Sequence, residues 1–326
     1  METNRLIDML LEHPGQYISG EELSRRLSIS RTAVWKQIAK LREEGYEFES
    51  APRRGYRLTR QPDKLSQVGL LHALQENRMF GRKLKLLEST SSTQEEVRKL
   101  AEEGAPHGTL VLAEEQTAGR GRQGRRWYSP PGKGIWMSLL LRPERQPLSI
   151  APQLTLLAAV AVCRAIRKVG GVDAGIKWPN DILVSGRKLC GIIVESAAED
   201  ELIRFAVAGI GIDVNLEADE IPQELKPVAT SLSLESGRRI DRVVLIGAVL
   251  KEMEQLYELY LQEGFAPIAH LWEALSVTLG REITVHTPSG VLLGTATGLD
   301  PSGALLLLDQ DGKHFTIFSG EVQLGG

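Results

Sequence analysis

The chain has 326 residues, enough for two or three domains that each bury a core. Hydrophobic residues make up 42% and charged residues 25%, and 39 Lys and Arg face 42 Asp and Glu, which excludes a disordered or collagen-like chain and any dominant global field. Only two cysteines, Cys163 and Cys190, occur, without CxxC spacing, and no basic start followed by an apolar run opens the chain, so a reducing cytoplasm is expected.

Charge is unevenly placed. Residues 25–60 carry ten cations against four acids, and residues 116–143 carry six cations and no acid. Anionic partners are expected at these two islands.

In the first island's neighbourhood, Leu6, Ile7, Leu10 and Leu11 keep helical spacing until His13-Pro14-Gly15, which predicts a first helix. Ser19 stands three residues before Glu22, the spacing of a capping box, and Leu23 and Leu27 share one face of a short second helix. Ser30 caps a third, in which Val34, Ile38 and Leu41 form the apolar stripe and leave Arg31, Thr32, Trp35 and Lys36 on other faces. Two alternating segments, 46–50 and 55–59, are joined by Ala51-Pro52-Arg53-Arg54 and predict a basic hairpin. Three helices and a basic wing resemble the winged helix-turn-helix DNA-binding domains. That resemblance puts Arg31, Thr32, Trp35 and Lys36 at the major groove and Arg53 and Arg54 on phosphates or the minor groove. An ordinary solvated face of a small helical domain is the alternative; the concentration of charge on the two elements that would touch DNA favours binding. Gln61-Pro62-Asp63-Lys64 reads as a linker, so the first domain is set at residues 1–64.

From residue 65 to 277, strand-like runs at 84–87, 109–113, 135–141, 182–184, 191–195 and 204–209 are interspersed with helical segments at 92–102, 150–168, 241–262 and 265–275. This predicts a mixed sheet with helices on it. The apolar stretch from Ile150 to Cys163 is broken by Pro152, Gln153 and Thr155 and is shorter than the roughly 20 residues of a membrane span, so a buried helix and no membrane are expected. From 278 to 326, four short strands separated by Pro288-Ser289-Gly290, Asp300-Pro301-Ser302-Gly303 and Asp309-Gln310-Asp311-Gly312 predict a small barrel. The whole reads as an α+β, multidomain chain.

The second island is a loop, Gln116-Thr117-Ala118-Gly119-Arg120-Gly121-Arg122-Gln123-Gly124-Arg125-Arg126-Trp127. Its glycines satisfy GxGxxG, but no helix follows them, so a Rossmann dinucleotide site fails on context. Glycine amides and four arginines in seven residues suit a polyphosphate instead. Six histidines show no metal-ligand spacing, and Cys190 reads as core.

This loop resembles the glycine-rich loop of the biotin protein ligases. Lys177-Trp178-Pro179-Asn180-Asp181, followed by Arg187-Lys188-Leu189-Cys190-Gly191-Ile192, is similar to their second signature. With the N-terminal wing, the chain looks like the bifunctional bacterial form, which ligates biotin and represses the biotin operon. The resemblance implies a ligase domain at 65–277 and an SH3-like domain at 278–326. It implies biotin and ATP with Mg²⁺ as substrates and cofactor, biotinyl-5′-AMP as intermediate and co-repressor, and a biotin carboxyl carrier protein, operator DNA and a second copy of the chain as partners. Ser92, Thr93, Gln94 and Gln116 would bind the biotin ring system, with Ser89-Thr90 as a rival pair. Arg120, Gly121, Arg122, Lys188 and Gly191 would surround the biotin carboxylate and α-phosphate, with Lys188 and Arg120 catalytic. Arg122, Arg125, Trp127, Lys177, Asn180 and Asp181 would hold the nucleotide, Asp181 through Mg²⁺ or simply as a turn former, and Trp127 by stacking on the base or as core. The family's usual asparagine on the strand Ala208 to Asn215 is Asp213 here. A lipoate ligase, or a sensing repressor without catalysis, are the competing functions. The absence of an Arg-Arg-x-x-Gly-Gly-Gly segment argues against the first, and Lys188 with an unbroken arginine loop against the second.

Overall fold

The computed structural model describes residues 2–11, 13, 15–43, 45–52, 54–60, 64–144, 146–288 and 290–325. The chain forms two compact units, Met1–Glu76 with Asp241–Gly247, and Asn77–Ile240 with Ala248–Gly326. The linker expected at 61–64 lies, except for Lys64, outside the described residues.

The first unit contains α1 (Glu2–Leu11), α2 (Gly20–Leu27), α3 (Arg31–Glu43), the hairpin β1 (Glu47–Ala51) and β2 (Gly55–Arg60), and α4 (Gln67–Ala73). Ser19 caps α2 by accepting from the Glu22 amide at 3.1 Å, and Ser30 accepts from the Ala33 amide at the start of α3. Leu6, Ile7, Leu10, Leu23, Val34, Ile38 and Leu41 bury their side chains in one cluster, which follows from their helical spacing. The wing is tied down by an antiparallel bridge between Ile18 and Tyr56. At Gly55, in the left-handed region, a Cβ would collide with the Ile18 carbonyl, so only glycine fits there. α4, absent from the sequence pattern, completes the unit.

The second unit is built on a seven-stranded sheet of order β3-β4-β5-β9-β8-β7-β6. Its elements are β3 (Leu84–Thr90), α5 (Thr93–Glu102), β4 (Leu110–Gln116), β5 (Gly134–Leu141), α6 (Ala151–Gly170), β6 (Ala174–Lys177), β7 (Asp181–Val184), β8 (Arg187–Glu199) and β9 (Leu202–Asp213). β3 and β4 are parallel, joined by α5, while the other neighbours are antiparallel, so the sheet is mixed. α7 (Leu232–Ser236), α8 (Arg242–Glu263) and α9 (Ala266–Leu275) follow. The first residues of α8 belong with the first unit and the rest with the second. α8 returns Glu254 to the start of the unit, where its carboxylate accepts from the amides of Arg78, Met79 and Phe80 at 2.7–3.0 Å.

α6 is the buried helix expected at 150–168, but its apolar run is longer than the sequence reading allowed. With its leading turn it runs 23 residues, Leu148–Gly170, and is long and apolar enough to cross a membrane. It is a core helix: every residue from Leu156 to Cys163 is at most 1% exposed. Pro152 and Gln153 sit in the first turn, where Pro is tolerated, and Thr155 follows directly after it, so they do not shorten the helix.

The C-terminal strands β10 (Glu282–Thr287), β11 (Gly290–Leu299), β12 (Leu305–Leu308), β13 (His314–Ile317) and β14 (Glu321–Leu324) form an antiparallel sheet of order β13-β12-β11-β10-β14. The expected four-stranded barrel is thus a five-stranded sheet, and among the described residues no pairing joins β13 to β14 to close it.

Candidate active site

Residues of β4, β5, β8 and β9, with the start of α5 and the arginine loop, surround a cavity of about 570 Å³. Ser92, at the N-cap of α5, has extended backbone and makes no side-chain capping bond, so its buried hydroxyl is free to face the cavity. Thr93 is fixed by Gln116: the Gln116 carbonyl oxygen accepts from the Thr93 amide at 2.9 Å and from its hydroxyl at 3.0 Å. Because the Thr93 hydroxyl has spent its proton there, Ser138 is the donor in the 2.8 Å bond between the two hydroxyls. Gln116 Nε2 donates to Ser129 Oγ at 3.2 Å. Gln116 therefore holds the start of α5 in place and retains one N–H for a ligand. Gln94 packs over Gly209, where a Cβ would lie 2.7 Å from its side-chain carbon. The rival Ser89 bonds to Glu115 instead, and neither Ser89 nor Thr90 lines the cavity.

The arginine loop is an ordered turn and its cations are engaged by the protein. Its ends pair, Trp127 donating to the Gly119 carbonyl at 2.9 Å and Gly121 to the Arg125 carbonyl at 2.6 Å. The Gly121 amide is thus used inside the loop, while Gly121 itself lines the cavity. A Cβ at Gly119 would fall 2.7 Å from Ser129 Oγ, and Gln123 and Gly124 both have left-handed φ. Arg120 pairs with Glu95 of α5 at 2.9 Å. Arg122 donates to Asn180 Oδ1 at 3.1 Å and to the Gly320 carbonyl at 3.4 Å, and burial lowers its affinity for the proton. Arg125 grips both oxygens of Glu321, and that hydrogen-bonded pairing holds the Glu321 carboxyl below the usual range. The edge strand β14 of the C-terminal sheet therefore closes one side of the site.

Ser185 and Gly186, both with positive φ, turn β7 back into β8 and so bring Lys188 beside Asp181. Lys188 Nζ lies 2.7 Å from Asp181 Oδ1 and 5.1 Å from the Trp127 ring centroid. Lys188 is not an edge position, because its amide donates to the Val228 carbonyl and its carbonyl accepts from Thr230. Trp127 lies on Gly211 and Gly191, where Cβ atoms would come within 2.7 and 3.0 Å of it. Trp127 and Gly191 both line the cavity. Lys177 also lines it, and burial pulls its ammonium below the ordinary lysine value. Asn180 donates to the Ile192 carbonyl, leaving its oxygen to Arg122. Cys190 is fully buried and burial pushes its thiol up, in keeping with a core role. Among the described residues no group of three His, Cys, Asp or Glu side chains could cage a metal. Asp181 and Glu321 are already paired to Lys188 and Arg125, an arrangement that fits an ion brought in by nucleotide phosphates better than one held by protein alone.

On the first unit, Arg31, Thr32, Trp35 and Lys36 are exposed along α3, Trp35 to 58%. Arg54 stacks over Tyr17 at 4.2 Å. Arg53 lies outside the described residues.

Sequence reasoning missed Glu321, Glu95, Ser129 and Ser138 as partners of the site. None belongs to a motif, and Glu321 lies 196 residues from the arginine it holds, so no local signal marked it.

Three family models match the chain in order: an HTH domain at residues 2–57, the biotin/lipoate A/B protein ligase family at 86–213, and the biotin protein ligase C terminal domain at 278–325. Together with a cavity ringed by paired cations, they define a protein ligase that carries a helix-turn-helix. The chain is 45% identical to the bifunctional ligase/repressor BirA of Bacillus subtilis over 98% of both chains, and 32% identical to that of Escherichia coli over 95% of this chain and 94% of the other. It resembles the solved biotin protein ligase from Aquifex aeolicus in complex with biotin and ATP, with a TM-score of 0.65 and 32% identity over 75% of this chain and 99% of that one. The chain belongs to the bifunctional biotin protein ligases, which join an enzyme to a helix-turn-helix repressor domain.

Proposed function

We propose that the cavity binds biotin and ATP, that the biotin carboxylate oxygen attacks the α-phosphorus and expels pyrophosphate, and that a carrier-protein lysine then attacks the acyl carbon of biotinyl-5′-AMP and releases AMP. Lys188 carries this reading: a fixed ammonium, braced by Asp181 over Trp127, stands where charge would build up in the first step. Ser92 and the spare N–H of Gln116 face the ureido ring, with Thr93 and Gln94 shaping its end of the cavity. Arg120, Arg122 and Arg125, with Lys177 and Asn180, face the carboxylate and phosphates. Phosphate would compete with Glu95 and Glu321 for Arg120 and Arg125, so binding exchanges internal pairs for pairs with the ligand. Asp181 would hold a magnesium ion carried by the nucleotide, which would neutralise phosphate charge. The working place is the cytoplasm. Mass spectrometry of a biotin carboxyl carrier fragment incubated with the protein, biotin and MgATP tests the reading: an added biotinyl group on one lysine is expected, and its absence with no adenylate formed defeats it.

The winged unit, read as residues 1–64, binds operator DNA through α3 and the wing. Arg31→Ala or Lys36→Ala is expected to weaken operator binding and to flatten its log–log salt dependence by about one unit, with ligation intact. Parallel loss of ligation would show that the two activities share these residues.

Adenylate binding promotes homodimerisation, because two wings on two half-sites double the few base contacts of one. Sedimentation should show a larger dimer fraction with biotinyl-5′-AMP than without, and an unchanged monomer fraction would remove the mechanism. The favoured cause is that the ligand draws Arg120 and Arg125 away from Glu95 and Glu321 and so resets the arginine loop before the partner arrives.

A further inference from the structure

Strand β9 turns a row of alternate residues to the cavity: Gly209, Gly211 and Asp213. The first is covered by Gln94 and the second by Trp127. The third is a carboxyl that is nine-tenths buried, lines the cavity and leaves Oδ1 without a hydrogen-bond partner. Trp127 Nε1, against Gly211, also has none. A buried donor and a buried acceptor thus lie close along one wall without pairing, an arrangement costly enough to call for a ligand edge with complementary groups.

The surroundings decide the protonation state. Across the ladder on β5 stands Gly134, which brings no side chain. From β8 come the Cys190 thiol, itself un-ionised, and the ammonium of Lys188, which is already claimed by Asp181. The arginine loop contributes the Trp127 ring. Burial drives the Asp213 carboxyl well above the ordinary range, and Lys188 opposes this only in part.

We propose that Asp213 works as an un-ionised carboxylic acid that hydrogen-bonds the nucleotide, offering both an O–H donor and a carbonyl acceptor to its neutral part. The inference rests on the ligase reading above. Asp213 is four residues along β9 from Gly209, roughly 13 Å from the end assigned to the biotin ring, so the nucleotide and not the biotin ring reaches it. An ionised Asp213 would lose its donor and set an anion in a cavity that must admit a triphosphate.

The sign of the linkage follows. A folded state that holds the proton more tightly than the unfolded chain loses stability as pH rises from the ordinary aspartate range towards the folded value. Ionisation should likewise weaken ATP, so the KM for MgATP of the full-length protein is expected to rise about tenfold per pH unit once Asp213 ionises, with the KM for biotin unchanged. Asp213→Asn, a neutral isostere, should lack that alkaline limb whatever its activity at neutral pH. Infrared difference spectra of the two proteins at neutral pH should show an un-ionised carboxyl stretch in the parent only. The same alkaline limb in both proteins, or no such carboxyl band in the parent, overturns the proposal. A parent that binds neither biotin nor ATP by calorimetry overturns the ligase reading and the proposal together.

Discussion

Lys188→Ala is expected to slow adenylate formation by on the order of 10² or more, because a preorganised charge aimed at the reacting centre of a water-poor site typically contributes a few kcal/mol. The substitution also strands Asp181, whose carboxylate is held by Lys188 at 2.7 Å. An anion left without that cation would repel the incoming triphosphate, so ATP affinity should fall along with the chemical step. Biotin binding should suffer less, since Ser92, Thr93 and Gln116 form a separate network at the start of α5. Lys188→Arg should restore the charge but only part of the rate: a planar guanidinium cannot put its cation where a compact ammonium sat above the Trp127 ring. Rapid-quench measurement of the first turnover separates chemistry from binding. A Lys188→Ala protein that forms adenylate at the parent rate would reduce this lysine to a solvated strand residue.

Gly211→Val should be nearly as damaging although it adds no charge and removes none. Its Cβ would start 2.7 Å from Trp127 Nε1 and 3.0 Å from Cε2, and a rigid indole has no flexible end to give way. The ring must leave the cavity wall, taking with it the surface on which Lys188 rests. Overpacking of this kind costs about 1–3 kcal/mol in stability. The loss in adenylation should be larger, of order tenfold to a hundredfold, because the catalytic ammonium is displaced as well. Gly211→Ala tests the same point with a smaller group. Measured with Lys188→Ala in a double-mutant cycle, the two effects should fall well short of adding. Full additivity would mean that Trp127 and Lys188 act independently.

What was legible in the sequence was contiguous. The arginine loop and the segment 177–192 carry their residues on short stretches, so their chemistry could be read before the fold was known. Helix spacing likewise revealed α1, α2 and α3, whose apolar stripes are local patterns. What could not be read was pairing across distance. Nothing near Arg125 points to Glu321, and nothing near Gln116 tells that its oxygen is already committed to Thr93. β14 was missed because four residues between turns carry too little periodicity, and the apolar run of α6, a helix the sequence did place, was judged too short because Pro152, Gln153 and Thr155 near its start were counted as breaks. Asp213 stood out only as a departure from a motif. Its interest comes from burial, which depends on strands that flank it from elsewhere in the chain.

The carboxylate of Glu254 also bears on how the protein is made. It closes three consecutive amides at residues 78–80, from 174 to 176 positions earlier in the chain. At about 5–20 residues per second a ribosome needs roughly 10–30 seconds to travel between them. Through that interval those donors have only water, and the start of the ligase unit waits for a helix not yet translated. The first unit is in the same position, because it includes residues 241–247. Both units thus reach completion late, the first with residues 241–247 and the second only with the strands after them, so a ribosome that stalls before α8 would release neither a finished reader of DNA nor a finished enzyme.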